Sequence, residues 1–572
     1  MKKVFTIIIL ILMAAVSICA QQTRPAVATS TTRTMTTAEL SREVEDYLNQ
    51  LVAQDNFSGT IILAKDGVPF FQKAYGLASR GYNVPNRLDT KFNLGSMNKM
   101  FTSVAIAQLA EQGKLAYTDT IAKLLPDYPN KEVAAKVTVH HLLTHTSGLG
   151  NYFNRKFMET SKDRFRTIKD FFPLFTDEPL QFEPGARWQY SNAGFMVLGA
   201  IVEKVSGQNY FDYVREHIYQ PAGMVNTDAY EMDSDTPNMA TGYTRMGPNG
   251  PIPDGARRTN TFLHSFKGGP AGGGFSTVED LHRFAVALNG HKLLSRKYTE
   301  LITTGKVDLP RNGGAAKYAY GFQDEKVNGQ RRFGHNGGFP GINSELQIYP
   351  DLGYTVAVMS NYDPPTASRV ADRVGDLLTG VPIQQPVKLQ PELLQKYAGR
   401  YESTNQERVR MIDVILKNND IWLLVGGSRH KFLPLSETEF FDEEYKDVRA
   451  IFSKDARGQV TSLLLKNAGP VDLTARRVAL PAPSLKGNTV FRLKGFDDAQ
   501  IVSLAGSFNN WNPSQTLFAR EGNEWVSRID LAPGKHTYKF IVDGVWMTDP
   551  GNPLTEDDGN GNTNSVLTLK VQ

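Results

Sequence analysis

The hydrophobic pattern along the 572-residue chain changes character several times. An apolar run covers 4–18, and residues 21–36, rich in Thr, Ser, Gln and Pro, carry no period at all. From 37 to 380, stretches with helical spacing (40–51, 97–109, 195–205, 281–288) lie between an early strand-like run at 60–63 and late ones at 345–349 and 354–359. Helices enclosed by early and late strands predict an α+β domain. Met97, Met100, Phe101, Val104 and Ala107 predict one apolar stripe on the second of these helices. A Pro-rich joint, Val381-Pro382-Ile383-Gln384-Gln385-Pro386, ends the domain. Over 388–480 a short helix (391–397) precedes alternating strands at 409–416, 421–425, 448–452 and 460–465, which predict a small antiparallel β-barrel or sandwich. After Leu480-Pro481-Ala482-Pro483-Ser484, residues 487–572 alternate in short strands throughout and predict a β-sandwich, with Trp525 in its core.

Composition changes this picture little. At about 150 residues per domain the length allows three to four domains. Hydrophobic residues are 41% and charged residues 21%, which excludes a disordered or polytopic membrane chain. A net charge of +4 gives no electrostatic case for nucleic acid. The N-terminus changes more. Lys2 and Lys3, the 4–18 run and Cys19-Ala20-Gln21 read as a secretory signal cut after Ala20, and a periplasmic or secreted protein without other membrane attachment is expected. As a transmembrane anchor the run is slightly short of the roughly 20 residues needed. Lipoprotein anchoring at Cys19, the single cysteine, would place bulky Ile18 before the acylated residue. With the signal removed no cysteine remains, and a disulfide framework or thiolate metal site is excluded.

Three short stretches carry chemistry. Ser96 opens the 97–109 helix and Lys99 follows three residues on, on the same side. A serine hydroxyl needs a base within reach, and a lysine serves if partial burial and neighbouring positive charge lower its pKa. Tyr190-Ser191-Asn192 offers a phenol as proton shuttle and an amide as clamp. Gly334-His335-Asn336-Gly337-Gly338 reads as a loop whose backbone can approach a substrate and aim an N–H at an oxyanion. Each stretch alone has a bland reading as an N-cap, a turn or a hairpin connection. His145 reads as satisfying backbone groups beside a turn. The other histidines, such as His140, His141 and His264, lack metal-ligand spacing, and neither metal nor cofactor is expected.

Taken in order, Ser96-x-x-Lys99, Tyr190-x-Asn192 and His335-x-Gly337 resemble the penicillin-recognising serine hydrolases, in particular the class C β-lactamase and D-alanyl-D-alanine carboxypeptidase branch. Leu142-Leu143-Thr144-His145-Thr146-Ser147-Gly148-Leu149, Phe182-Glu183-Pro184-Gly185 and the run from Gly272 to Leu281 agree with it. The resemblance implies an antiparallel sheet flanked by helices beside a helical subdomain, with the site between them. It implies Ser96 as the acylated nucleophile, Lys99 and Tyr190 as base and acid, and Asn192 as holder of substrate and lysine. It further implies an oxyanion hole from the N–H groups of Ser96 and Gly338, with His335 facing the substrate's leaving side or carboxylate. One departure matters: class C β-lactamases have Lys-Thr-Gly where this chain has His335-Asn336-Gly337. An esterase or D-amino-acid peptidase or amidase is therefore expected, with a β-lactamase, a carboxypeptidase and a non-catalytic glycan- or peptidoglycan-binding protein as alternatives. The substrate would be a small ester, a peptide or a cell-wall-type compound.

Residues 388–480 resemble the β-rich accessory domain often appended to such hydrolases. Ala505-Gly506-Ser507-Phe508-Asn509-Asn510-Trp511 and the run from His536 to Trp546, followed by Asp549-Pro550 and Asn562-Thr563-Asn564, resemble the glycogen-binding domain of AMP-activated protein kinase and family 48 carbohydrate-binding modules. On that resemblance an immunoglobulin-like sandwich would present Trp511, Lys539, Trp546 and Asn564 to an α-glucan. The same tryptophans would also suit packing against a neighbouring domain.

Overall fold

The computed structural model describes residues 35–247, 250–251, 256–309, 316–380, 386–405, 411–425, 428–443, 448–466, 468, 472–557 and 563–570. The expected signal, its cut after Ala20, Cys19 and the 381–385 part of the first joint lie outside the described residues.

Helix α1 (Thr37–Ala53) starts at a reciprocal cap. Thr36 Oγ1 accepts the Glu39 N–H at 3.2 Å, and the Glu39 carboxylate accepts the Thr36 N–H at 2.9 Å. Hairpin β1 (Gly59–Lys65) and β2 (Val68–Tyr75) follows, then α2 (Asn98–Glu111), α3 (Asn192–Ser206) and α4 (Val278–Asn289). Strands β3 (Val307–Asp308), β4 (Ala316–Tyr318), β5 (Gln323–Val327), β6 (Gln330–Phe339), β7 (Ile342–Tyr349) and β8 (Tyr354–Ser360) lead to α5 (Thr366–Thr379). The sheet is antiparallel, in the order β3-β4-β5-β6-β7-β8-β1-β2. Successive strand residues enter opposite layers. Ile61, Leu63, Val356 and Val358 pack with Leu40, Val44 and Leu48 of α1 and Val370 and Val374 of α5. Ile62, Leu346, Ala357 and Met359 face the other way, toward α2 and α3.

Two expectations are corrected here. Helix α2 has no single apolar stripe: every residue from Asn98 to Ala107 is buried, as are Leu109 and Ala110. A helix enclosed on all sides needs apolar residues all round and partners for its polar ones. Phe101 meets Tyr219 and Phe284 edge-on, at 5.1 and 4.9 Å. Thr102 Oγ1 donates to the Pro270 carbonyl at 2.8 Å. Second, 334–338 is no loop but the second half of β6, paired with β7 along its length. Strand β5 pairs with β6 only as far as Gly334, so beyond it one edge of β6 is left for the turn before α2.

The barrel is an eight-stranded closed one, built from β9 (Gly399–Ser403), β10 (Met411–Lys417), β11 (Asp420–Val425), β12 (Ser428–Pro434), β13 (Glu439–Asp442), β14 (Arg449–Lys454), β15 (Val460–Lys466) and β16 (Leu473–Val478). Among the described residues nine strands follow: β17 (Thr489–Lys494), β18 (Val502–Gly506), β19 (Thr516–Leu517), β20 (Ala519–Glu521), β21 (Glu524–Ile529), β22 (Gly534–Val542), β23 (Val545–Met547), β24 (Thr555–Asp557) and β25 (Thr563–Leu569). They form sheets β17-β21-β20 and β19-β18-β22-β25-β24, with β23 beside β22. The sheets share one core, in which Phe491 and Trp525 of the first meet Leu504 and Phe540 of the second. This is a two-sheet sandwich.

Gly337 sets how close β6 comes to α2, since a Cβ there would stand 2.0 Å from the Leu94 carbonyl oxygen and 2.4 Å from Ser344 Oγ. Both neighbours are held, as Ser344 Oγ donates to Leu94 O at 2.6 Å. Gly337→Ala is expected to destabilise the fold by about 1–3 kcal/mol. Thermal unfolding checks this against Gly81→Ala, where nothing lies within 4 Å of the new methyl and no change is expected.

Candidate active site

Ser96 sits in the single turn Gly95–Met97 that leads into α2. Gly95 adopts φ +51°, open to glycine without strain. Its N–H donates to Asn93 Oδ1 at 2.9 Å, and its carbonyl accepts the Gly273 N–H at 3.1 Å. Two glycine-rich backbones grip the turn. On one side Leu94 N–H donates to Gly274 O at 2.7 Å, and a Cβ on Gly272 would stand 2.7 Å from Gly95 O. On the other, Gly338 N lies 3.0 Å from where a Cβ on Gly95 would be. Counting from the Phe339–Ile342 pair that closes the β6–β7 hairpin, Gly338 falls at a position whose N–H points away from β7, toward the turn.

Lys99 is fully buried. Its Nζ lies 3.3 Å from Ser96 Oγ, 2.7 Å from Asn192 Oδ1 and 2.5 Å from the Ala271 carbonyl. Burial holds its pKa well below the usual lysine value. This corrects the expected cause, because desolvation accounts for the shift without a neighbouring cation. The geometry fits a neutral amine: two N–H bonds go to the two carbonyl oxygens, and the lone pair faces the Ser96 hydroxyl. Tyr190 also hydrogen-bonds Ser96, and burial raises its pKa, which keeps it a phenol. Asn192 caps the lysine with Oδ1 and donates through Nδ2 to Asn151 Oδ1 at 3.2 Å.

His335 lies on β6 and packs edge-on against Tyr318 of β4. It is 2% exposed, with Nδ1 2.5 Å from the Asn336 carbonyl and Nε2 2.9 Å from Tyr318 Oη. A carbonyl only accepts, so Nδ1 carries the proton and Nε2 accepts from the tyrosine. Burial pushes its pKa down to about 3. Both nitrogens of this neutral ring are engaged, Nε2 by Tyr318. His145 accepts the Ser191 N–H on Nδ1 at 3.1 Å, as its bland reading has it. Its ring packs 4.2 Å from Tyr190 and 4.6 Å from Tyr318. Tyr318 and the Ala271 carbonyl escaped sequence reading, the first for want of a motif and the second because a backbone acceptor leaves no side-chain signature. A cavity of about 250 Å³ lies beyond the turn, lined among others by Asn93, Asn260, His264 and Gly341. Among the described residues no cluster of His, Cys, Asp or Glu is arranged to hold a metal.

On the sandwich, Tyr538, Phe540 and Val542 face the core, so Lys539 faces outward. Trp546 pairs opposite Ile541 on that outer face, and Asn564, 4% exposed, alternates onto it from Ser565. Trp511 follows β18 on a loop, its ring 6.5 Å from that of Trp546 with planes 32° apart.

A family profile described as Beta-lactamase matches residues 44–380, more than half of the chain. The chain belongs to the β-lactamase family. A second profile, described as the glycogen recognition site of AMP-activated protein kinase, matches 488–572. A penicillin-binding protein of Bacillus subtilis (strain 168) is 28% identical, over 70% of this chain and 91% of its own. Esterase EstB of Burkholderia gladioli is 30% identical, over 44% of this chain and 71% of its own. A solved D-stereospecific amidohydrolase from Streptomyces sp. is 27% identical with a TM-score of 0.50, covering 59% of this chain and 97% of its own. This member of the β-lactamase family is thus a serine hydrolase with a glycogen-recognition-type module at its C-terminal end.

If neutral Lys99 is the base, fluorophosphonate labelling of Ser96 rises with pH along one limb and then levels off. The midpoint is expected well below 10.5, the ordinary lysine value. His335 contributes no limb at neutral pH, being deprotonated down to about 3. Lys99→Arg, whose guanidinium stays charged, is expected to slow labelling by about 100-fold or more.

Proposed function

We propose that the protein is an exported acyl-serine hydrolase of neutral esters or D-amino-acid amides, carried to α-glucan by its C-terminal module. Lys99 takes the Ser96 proton as Oγ attacks the carbonyl carbon. The oxyanion is held by the N–H groups of Ser96 and Gly338. Tyr190, kept protonated, hands a proton to the leaving alcohol or amine, and the ammonium formed on Lys99 passes the serine's proton to the tyrosinate, restoring phenol and free amine. Water, activated by the same pair, then cleaves the acyl-Ser96 ester. The observation that carries the substrate class is His335. A β-lactam brings a carboxylate, and the third motif presents a buried neutral imidazole with both nitrogens engaged, backed by Tyr318. Without a cation there, about 1.5–3 kcal/mol of charge-assisted bonding to that carboxylate is lost, or about 10–150-fold. The esterase and D-stereospecific amidohydrolase among the similar proteins support the same side. Export rests on the N-terminal sequence alone, through the signal cut after Ala20, with retention at Cys19 as the lesser alternative.

A panel of short p-nitrophenyl esters, D-alanyl amides and nitrocefin is expected to give kcat/KM at least about tenfold higher on the best ester or amide than on nitrocefin. Ser96→Ala is expected to lose at least about a thousand-fold on every member. Nitrocefin as the best substrate would overturn the reading. For the module, retention on insoluble starch is expected to fall on Trp511→Ala/Trp546→Ala, and equal retention would remove the glucan assignment.

A further inference from the structure

One row of barrel residues sits where its burial is unexpected. Register aligns Arg400 of β9 with Asp413 of β10, Asp413 with Leu424 of β11, and Leu424 with Arg429 of β12. Their sequence neighbours Tyr401, Ile412, Val414 and Leu423 fill the barrel core, so this row points outward. Yet Arg400 is 2% exposed, and Asp413 and Leu424 are 8% exposed. The sandwich covers them. Arg400 holds Asp413 through Nε and Nη2, each at 2.7 Å, and donates through Nη1 to the Ser514 carbonyl at 2.8 Å. A Cβ on Gly544 would stand 3.0 Å from Leu424 Cδ2 and 3.5 Å from Arg429 Cβ. Alongside, Lys417 pairs with buried Asp543 at 3.2 Å, and the Gln500 amide donates to the Leu416 carbonyl.

The two sandwich segments held this way carry the half-buried indoles. Ser514 ends the loop that bears Trp511, and Asp543-Gly544 is the turn into β23, which bears Trp546. Asn510 and Trp511 both adopt left-handed φ, +53° and +56°. L side chains disfavour that conformation, so a loop without support leaves it. Asn509 braces the loop from inside, donating to the Leu504 and Asn512 carbonyls at 2.9 and 3.3 Å. Arg400 braces it from the barrel.

We propose that the barrel is the base plate of the glucan site, with Arg400 as a positioning residue that fixes the Trp511 loop against Trp546. This rests on the glucan reading of the module. Arg400 touches no sugar; it acts by presetting the spacing of two stacking surfaces, and preorganisation of that kind raises affinity without a new contact. A lysine reaches one acceptor as a point charge and cannot reproduce the fork that serves Asp413 and Ser514 together.

The test uses the full chain with Arg400→Lys and with Arg400→Leu/Asp413→Leu, which removes both charges and leaves neither buried alone. Turnover of a small p-nitrophenyl ester at Ser96 serves as the internal control of folding. Binding of maltoheptaose is expected to weaken about tenfold or more in both variants, through the lost preorganisation. Hydrogen exchange of the 507–516 segment, measured without sugar, is expected to quicken in both. Wild-type exchange in both variants would overturn the positioning role whatever the sugar result, and so would wild-type maltoheptaose affinity. If the wild-type protein binds no maltoheptaose, the glucan reading falls and takes the base-plate role with it. Quickened exchange would then show only that Arg400 holds the loop.

Discussion

A lysine amine held in the dry interior without a carboxylate is the constraint around which this protein is arranged. All three polar partners of Lys99 are uncharged: a hydroxyl, an amide oxygen and a backbone carbonyl. An ammonium there would forfeit its hydration with no counter-charge to offset it. The site therefore favours the free amine, which is the form able to take a proton from serine. The same desolvation acts in the opposite sense on Tyr190, favouring its protonated form. One physical cause thus favours the free amine on Lys99 and the phenol on Tyr190, as the proposed base and acid roles require.

Burial of that kind requires protein on every side, which explains the surroundings. Helix α2 is enclosed all round because it carries the lysine inward. Enclosure leaves no room for side chains where backbones cross, and glycines stand at the crossings on both sides of Ser96: Gly272 and Gly274 on one, Gly337 and Gly338 on the other. The strand that brings Gly338 N–H to the serine also brings His335, which is then too deeply packed to carry charge. The proposed preference for neutral substrates rests on the same packing that buries Lys99.

Much of this was legible in the sequence because it resides in side chains at fixed short spacings. Ser96 and Lys99, three apart across the turn into a helix, must meet, and the structure brings them together with Tyr190 and Asn192. The α+β layering followed from the placing of helices between early and late strands. What periodicity missed has physical reasons. The apolar stripe on α2 was a subset of a fully buried surface, and Thr102, Ser103 and Lys99 hid the rest because their burial depends on partners far along the chain. Residues 334–338 look like a loop because glycine is a poor strand former in isolation. Here they form a strand because β7 on one edge and the nucleophile turn on the other demand close approach. Tyr318, Ala271 and Arg400 act through tertiary contacts that no local spacing announces.

The central claim is that a neutral, buried Lys99 makes Ser96 a covalent nucleophile. It is tested most directly by rapid mixing with a slowly hydrolysed p-nitrophenyl ester and intact-mass analysis with peptide mapping. The account predicts one acyl group per chain, located on Ser96, forming in a burst with p-nitrophenol and decaying at the turnover rate. Turnover without an adduct, or an adduct on another residue, would contradict it.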